Sequence, residues 1–243
     1  MPKIIALLAF CNEENYLPGF FAHLREYVSE FIVLDDNSTD RSAEIARAQS
    51  NTTLIGATCE SRPKHFFEVD NRRKLLEAAL AHSADWILGC DADERYEKRF
   101  LEYLPILTGK AKGAYALRVR DLWDSRDHYR IDGLWGRKAK FVLFPVLPFT
   151  DYYPSHSLHT KWPPPNIPCR DDNILDFNLY HLISLQRADR VARLRKFKAI
   201  DPERQYQRWL GYDYLADESG LEVAEITSGR GFQMLPEDAH LFL

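Results

Sequence analysis

The nine residues Trp86-Ile87-Leu88-Gly89-Cys90-Asp91-Ala92-Asp93-Glu94 decide the fold. Trp86 to Cys90 is an apolar run of strand length, and three acidic residues end it abruptly. Residues two apart in an extended backbone face the same side, so Asp91 and Asp93 present two carboxylates together at a strand end. Hard oxygen ligands of this kind suit Mg2+ or Mn2+ rather than Zn2+. A cation held by few protein carboxylates keeps positions open, and a diphosphate can fill them. A solvated acidic turn would give the same letters, and Asp-x-Asp alone does not separate the two.

The residues upstream repeat the arrangement. Ile4 to Phe10 is a continuous apolar run, followed by Asn12-Glu13-Glu14-Asn15. Phe31 to Leu34 is a second run, ending in Asp35-Asp36-Asn37-Ser38-Thr39-Asp40, and Thr53 to Ala57 is a third. Helices are expected between them. The first starts near Pro18, a tolerated early position, and runs to about Tyr27. The second spans about Arg41 to Gln49, with Thr39 and Asp40 as N-cap candidates. The third spans about Glu68 to His82 and buries Leu75, Leu76, Ala79 and Leu80. Alternating strands and helices, with strands that are apolar throughout, predict a parallel sheet covered on both faces. Ligands of such sheets sit beyond the carboxyl ends of the strands. The polar clusters at Asn12, Asp35-Asp36 and Asp91-Asp93 all fall at such ends, so they are expected to converge on one crevice.

Length and composition bound the rest. A chain of 243 residues, 45% hydrophobic, can bury a sizeable core. A net charge of −4 gives no general attraction to nucleic acid or to an anionic membrane, so any binding of a polyanion must be local. Cys11, Cys59, Cys90 and Cys169 form no Cys-x-x-Cys pair, which argues for reduced thiols in a cytoplasmic protein and against a structural zinc site. Ile4 to Phe10 is expected to be a core strand and not a signal peptide, because polar residues follow at once without a small-residue cleavage site. No apolar run approaches a membrane span, and peripheral contact with an inner membrane face stays open.

Beyond Tyr96 the pattern changes. A helix is expected to about Leu107, then strands of mixed orientation over Ala114 to Val119, Lys140 to Phe144 and Asp176 to Ile183. A basic helix from Gln186 to Ile200 carries Arg187, Arg190, Arg193, Arg195, Lys196 and Lys198. Asp201-Pro202 breaks it, and a further helix is expected from Glu203 to about Ala216. The stretch after Glu218 has no clear assignment.

Three motifs in register, Asn12-Glu13-Glu14, Val33 to Asp40 and Asp85 to Glu94, resemble family 2 glycosyltransferases with the GT-A fold, of bacterial type. The resemblance covers about the first 105 residues. It implies an α/β fold: a Rossmann-like, mainly parallel sheet flanked by helices, with a mixed-strand and helical C-terminal half. Residues 1–113 would bind the nucleotide sugar and residues 114–243 the acceptor, within one integrated domain. It further implies a metal-dependent inverting transfer from a nucleotide-sugar donor, UDP-sugars favoured, to a glycan, lipid-linked or other hydroxyl, as in polysaccharide biosynthesis. By position, the loop from Ala9 and Phe10 through Asn12 to Glu14 would touch base and ribose. Asp36, with Asp35 beside it, would accept a hydrogen bond from the base. Asn71 and Arg72 would contact the donor. Asp93 would hold Mn2+ or Mg2+, with Asp91 on the ribose or metal side, and His181 would complete the metal shell. A core or edge-strand histidine is the competing reading of His181.

The acceptor hydroxyl needs a general base. Asp121, Asp124, Asp127 and Asp132 follow the strand near Val119, and Asp151 and His159 lie beyond Phe144. The family's paired acidic motif has no clean match there. Asp132 is the first choice, because Gly133 and Trp135 follow it, and His159 is the second. Trp123, Trp135, Trp162 and Tyr153 could stack on sugar rings or simply pack under long loops. Two other classes compete: a nucleotidyltransferase that makes nucleotide sugars, and a non-catalytic nucleotide-sugar-binding module. Phe10-Cys11-Asn12-Glu13-Glu14 in place of a glycine-rich basic loop counts against the first. The intact Asp91 and Asp93 count against the second.

Overall fold

A computed structural model describes residues 2–56, 68–109, 113–147 and 160–242. The first four strands, β1 (Ile4–Phe10), β2 (Glu30–Asp35), β3 (Thr52–Gly56) and β4 (Trp86–Cys90), are the apolar runs of the sequence, and all pair in parallel. Between them lie α1 (Leu17–Leu24), α2 (Ser42–Arg47) and α3 (Glu68–Ala81). β1, β2 and β4 are apolar along their buried lengths because both faces are covered, whereas the edge strand β3 begins with Thr52 and Thr53 and is only half-buried. Ile4, Ala6, Leu8 and Phe10 of β1 face a core that holds Leu17, Phe20, Phe21 and Leu24 of α1. Ile5 and Leu7 face the other side, with Leu75 and Leu76 of α3 and with Trp162. β4 contains Gly89 because the Trp162 ring lies against it; a Cβ there would come within 2.4 Å of the indole.

The chain then forms β5 (Glu94–Tyr96), α4 (Lys98–Thr108), β6 (Tyr115–Asp121), β7 (His128–Arg130), β8 (Ala139–Pro145), β9 (Ile174–His181), α5 (Arg187–Ile200) and β10 (Val223–Glu225). One eight-stranded sheet runs in the order β3-β2-β1-β4-β8-β6-β9-β5 and crosses from the first half of the chain into the second. β8 is antiparallel to β4 and to β6, and β9 is antiparallel to β5. β7 and β10 form a separate two-stranded ribbon. The first residues of β8 and the last of β6 and β9 therefore reach the rim where β1, β2 and β4 end. The mainly parallel sheet with flanking helices is the GT-A arrangement.

Three expectations are corrected. Leu80 of α3 is 38% exposed and lies outside the buried stripe, whereas Val69 lies within it. The strand β5, directly after the acidic motif, was hidden by its polar letters Glu-Arg-Tyr. Arg95 is fully buried because Asp238 binds it through two hydrogen bonds of 2.7 and 2.8 Å, while it donates to the carbonyls of Tyr16, Ala92 and Glu94. The helix expected from Glu203 to Ala216 is a series of turns. Asp201 takes the backbone N–H groups of Gln205 and Tyr206, and Gly211 turns the chain at φ +62°. Among the described residues no helix is long and apolar enough to cross a membrane.

Candidate active site

The loops after β1 and β2 lock together before they meet any ligand. Asn12, at φ +60°, accepts the Thr39 N–H at 2.7 Å through Oδ1, and its own N–H donates to Ser38 Oγ at 3.0 Å. Glu14 accepts the Arg41 N–H, and Asp35 accepts the Ser38 N–H at 2.9 Å. The Asp36 N–H donates to the Phe10 carbonyl at 2.7 Å. The side chains of Asn12, Glu14 and Asp35 thus build the rim, and Phe10 is buried in the core with only its carbonyl at the loop. Asn71 is buried in α3. Arg72, one residue on, reaches the cleft. Its guanidinium stacks 4.6 Å above Trp162, pairs with Glu68 at 2.5 Å and donates to the Thr160 carbonyl.

The acidic motif at the end of β4 is met by groups from the antiparallel strands. Lys140, at the start of β8, bridges Asp91 and Glu94 at 2.7 Å each. Glu94 also accepts the Asp91 N–H at 2.9 Å. Burial disfavours the charge on Asp91, but the Lys140 ammonium more than offsets this and holds the carboxyl below its usual range. Glu94 is driven the other way, up to about 7, because its burial outweighs the same lysine. Asp93 faces His181, the last residue of β9, with Nε2 2.9 Å from the carboxylate. Pairing of Glu94 with His181 between β5 and β9 enforces the meeting. The other ring nitrogen, Nδ1, lies 2.9 Å from Asp121 at the end of β6. Asp121 is fully buried and pairs with Lys138 as well. Burial opposes ionisation of His181, yet Asp93 and Asp121 together raise it to about 9.

Three connected hollows surround this row. A central one of about 340 Å³ holds Asp91, Asp93, His181, Arg193 and Lys196. A second, of about 640 Å³, shares Ala9, Asp91 and Arg193 with it and extends over Arg72 and Trp162. A third, of about 740 Å³, shares Glu13 and Lys196 with the centre and extends past Asn12 to Gln186 and His240. Glu13 sits at that junction, its carboxyl pushed up to about 8 by burial and by the charge of Asp93.

Asp93 and His181 are the residues that could hold a divalent cation: they face each other at 2.9 Å, and a cation would have to take the place of the proton between them. A buried carboxylate holds the far nitrogen of the ring, the outer partner that metal-bound histidines usually have. No group of three or more His, Cys, Asp or Glu ligands is assembled among the described residues, so most positions would be left to diphosphate oxygens and water.

Asp132, the first choice for the general base, is already engaged. Arg130 grips both of its oxygens, at 2.6 and 2.8 Å, and the Glu222 N–H donates to it. In this arrangement it braces the ribbon of β7 and β10. His159, Asp151 and Tyr153 lie outside the described residues. Trp123 and Trp135 are buried against Tyr212 and Leu215, under the Arg130 guanidinium, so packing is their role. Trp162 is buried too, but it lines the cleft under Arg72. Lys140 and Lys138 were missed. Nothing in a basic residue at a strand start announces a carboxylate partner some 46 to 49 positions away.

A model described as Glycosyl transferase family 2 matches residues 6–170. The chain belongs to that family. Among solved structures it is similar to glucosyl-3-phosphoglycerate synthase from Mycobacterium tuberculosis in complex with Mn2+, uridine diphosphate and glucosyl-3-phosphoglycerate. That alignment has 21% identity and a TM-score of 0.35, over 49% of this chain and 44% of that one. It is also similar to mannosyl-3-phosphoglycerate synthase from Rubrobacter xylanophilus, at 16% identity and a TM-score of 0.35, over 52% of this chain and 42% of that one. The alignments thus take in less than half of those proteins. No curated protein matches the chain.

Proposed function

We propose that the protein transfers a sugar from a nucleotide-sugar donor, UDP-linked by preference, to an acceptor hydroxyl with inversion, and that Mn2+ or Mg2+ on Asp93 and His181 is needed for it. The observation that carries this reading is the meeting of Asp91, Asp93 and His181 with Arg193 and Lys196 in one cleft that continues to Ala9 and Arg72. Breaking the bond from anomeric carbon to phosphate leaves a nucleoside diphosphate of growing negative charge. A divalent cation bound at Asp93 and His181 would neutralise part of that charge. Arg193 and Lys196 bring further positive charge to the same hollow. Arg72, already desolvated on Trp162, presents a planar donor set suited to phosphate or a base edge. Lys140 holds Asp91 ionised and fixed, leaving its other oxygen for a ribose hydroxyl or the metal side. The acceptor is a glycan or a lipid-linked glycan, entering from the side of residues 114–243.

Calorimetric titration of UDP with and without Mn2+ tests the reading. Binding at least about tenfold tighter with the metal is expected, since most of the cation's positions go to the diphosphate. Equal affinity in its presence and absence would remove the metal from the proposal. A screen of UDP-, GDP- and dTDP-sugars for nucleoside diphosphate release then identifies the donor.

A further inference from the structure

Trp209 stands fully exposed, at 101% of its reference area, with Leu210 beside it 46% exposed. The other four tryptophans, Trp86, Trp123, Trp135 and Trp162, are each no more than 3% exposed. A slack loop would let the indole fold back onto the protein, but this loop is braced. The Asp201 carboxylate accepts from the backbone N–H groups of Gln205 and Tyr206 at 2.7 and 3.1 Å, and from the Tyr212 hydroxyl at 2.8 Å. The Gly211 N–H closes onto the Gln207 carbonyl at 2.9 Å. Tyr212 stacks flat on Phe197 of α5, with centroids 5.2 Å apart. Trp209 is therefore held out into solvent by the fold around it.

The surroundings are basic. Between Arg187 and Asp213 lie eight Lys and Arg against four Asp and Glu, in a chain with 32 basic and 36 acidic residues overall. One of those four, Asp201, is buried. At 3.6 residues per turn, Arg190, Arg193 and Lys196 share one stripe of α5, while Arg187, Arg195 and Lys198 share the opposite one. The first stripe turns inward: Arg190 is buried, and Arg193 and Lys196 line the cleft. The second is exposed and continuous with the Trp209 loop, because Lys198 at 2.5 Å and Arg204 at 3.6 Å share Asp213. Arg208 adds a further exposed charge next to the indole.

We infer that this face docks the protein onto an anionic lipid surface. Trp209 and Leu210 enter the headgroup layer, where an indole suits the boundary between apolar and wet surroundings. Lys198, Arg204 and Arg208 lie against the anionic headgroups. The charge excess selects a negatively charged lipid surface over a second copy of this chain, whose matching face would repel it. The inference goes beyond the donor chemistry and does not depend on it. Its geometric consequence is that α5, which lines the cleft with one stripe, would rest on the bilayer with the other.

The test is vesicle flotation of the full chain with phosphatidylcholine alone and with equal parts phosphatidylcholine and phosphatidylglycerol, alongside tryptophan emission. Binding to the anionic vesicles alone is expected, with a blue shift of the one exposed indole and release in high salt. Trp209→Ser should lose the blue shift and at least about tenfold in partition, and Arg204→Glu with Arg208→Glu should lose binding altogether. UDP titration of the same variants should match the parent, which separates loss of docking from misfolding. Equal binding to both vesicle types, no binding to either, or undiminished binding by Trp209→Ser would overturn the inference. So would a concentration-dependent dimer that Trp209→Ser abolishes, which would assign the face to a second copy.

Discussion

The two halves of the central sheet contribute to the cleft in different ways. The parallel half, β3-β2-β1-β4, offers acidic and amide residues in short contiguous runs at the ends of β1, β2 and β4, as at Asp35-Asp36 and Asp91 to Glu94. The mixed half, β8-β6-β9-β5, in which only β6 and β9 pair in parallel, offers single residues from separate strands: Lys140, Asp121 and His181. In the first half a loop is enough to build the ligand set. In the second the set exists only once strands far apart in sequence have paired. The comparison predicts that damage to the parallel half removes ligand atoms, whereas damage to the mixed half misplaces ligands that are still present.

The sharpest break is Asp93→Ala. Transfer should fall by about a thousandfold, the size of effect seen when a main electrostatic contact to the developing charge is removed. Stability should fall as well, since Asp93 is largely buried and is the charge partner of His181. A cost of about 1–3 kcal/mol is expected from leaving that ring unsatisfied, read as a fall of several degrees in melting temperature. A fully active variant would end the assignment.

Asp121→Asn probes the mixed half. Asp121 does not itself line the central hollow; it acts through a lining residue, fixing the His181 ring through Nδ1. Loosening that ring should weaken Mn2+-dependent UDP binding by about 10- to 100-fold while leaving metal-free UDP binding alone. A loss in both would mean that the variant damages the fold, because the half-buried Lys138 is then left without its carboxylate. Unchanged metal dependence would show that Asp121 does not position the ring.

The same contrast explains what could be seen in the letters. The parallel strands were legible because burial on both faces demands unbroken apolar runs, and the site residues at their ends were legible because they are contiguous. His181 was legible only by resemblance, since a lone histidine at the end of a run has no spacing to betray it. Asp132 was ambiguous in the letters, because an acidic residue beside glycine and tryptophan suits a sugar-facing loop and an arginine clamp equally well. Lys140 carried no signal at all, and neither did the tie between Arg95 and Asp238, which joins the acidic motif to the last turns of the chain. The Glu203 to Ala216 segment had helical letters, but its apolar residues do not share one buried face: Tyr212 and Leu215 are buried while Trp209 and Leu210 face water.

The smallest effect at neutral pH lies on the seam between the halves. His23 of α1 accepts the Tyr96 N–H of β5 at 2.8 Å through Nε2, and the ring is buried. Burial, reinforced by the nearby Arg95 charge, lowers its pKa from 6.5 to about 3. The unfolded chain therefore takes up this proton first as the pH falls, so the neutral ring contributes stability that is complete above pH 6.5 and drains away toward pH 3. His23→Gln keeps an acceptor for the Tyr96 N–H and has nothing to titrate. Urea midpoints measured through this range should fall less steeply for that variant than for the parent, while the two agree closely near pH 7. Parallel slopes would mean that the seam is indifferent to His23.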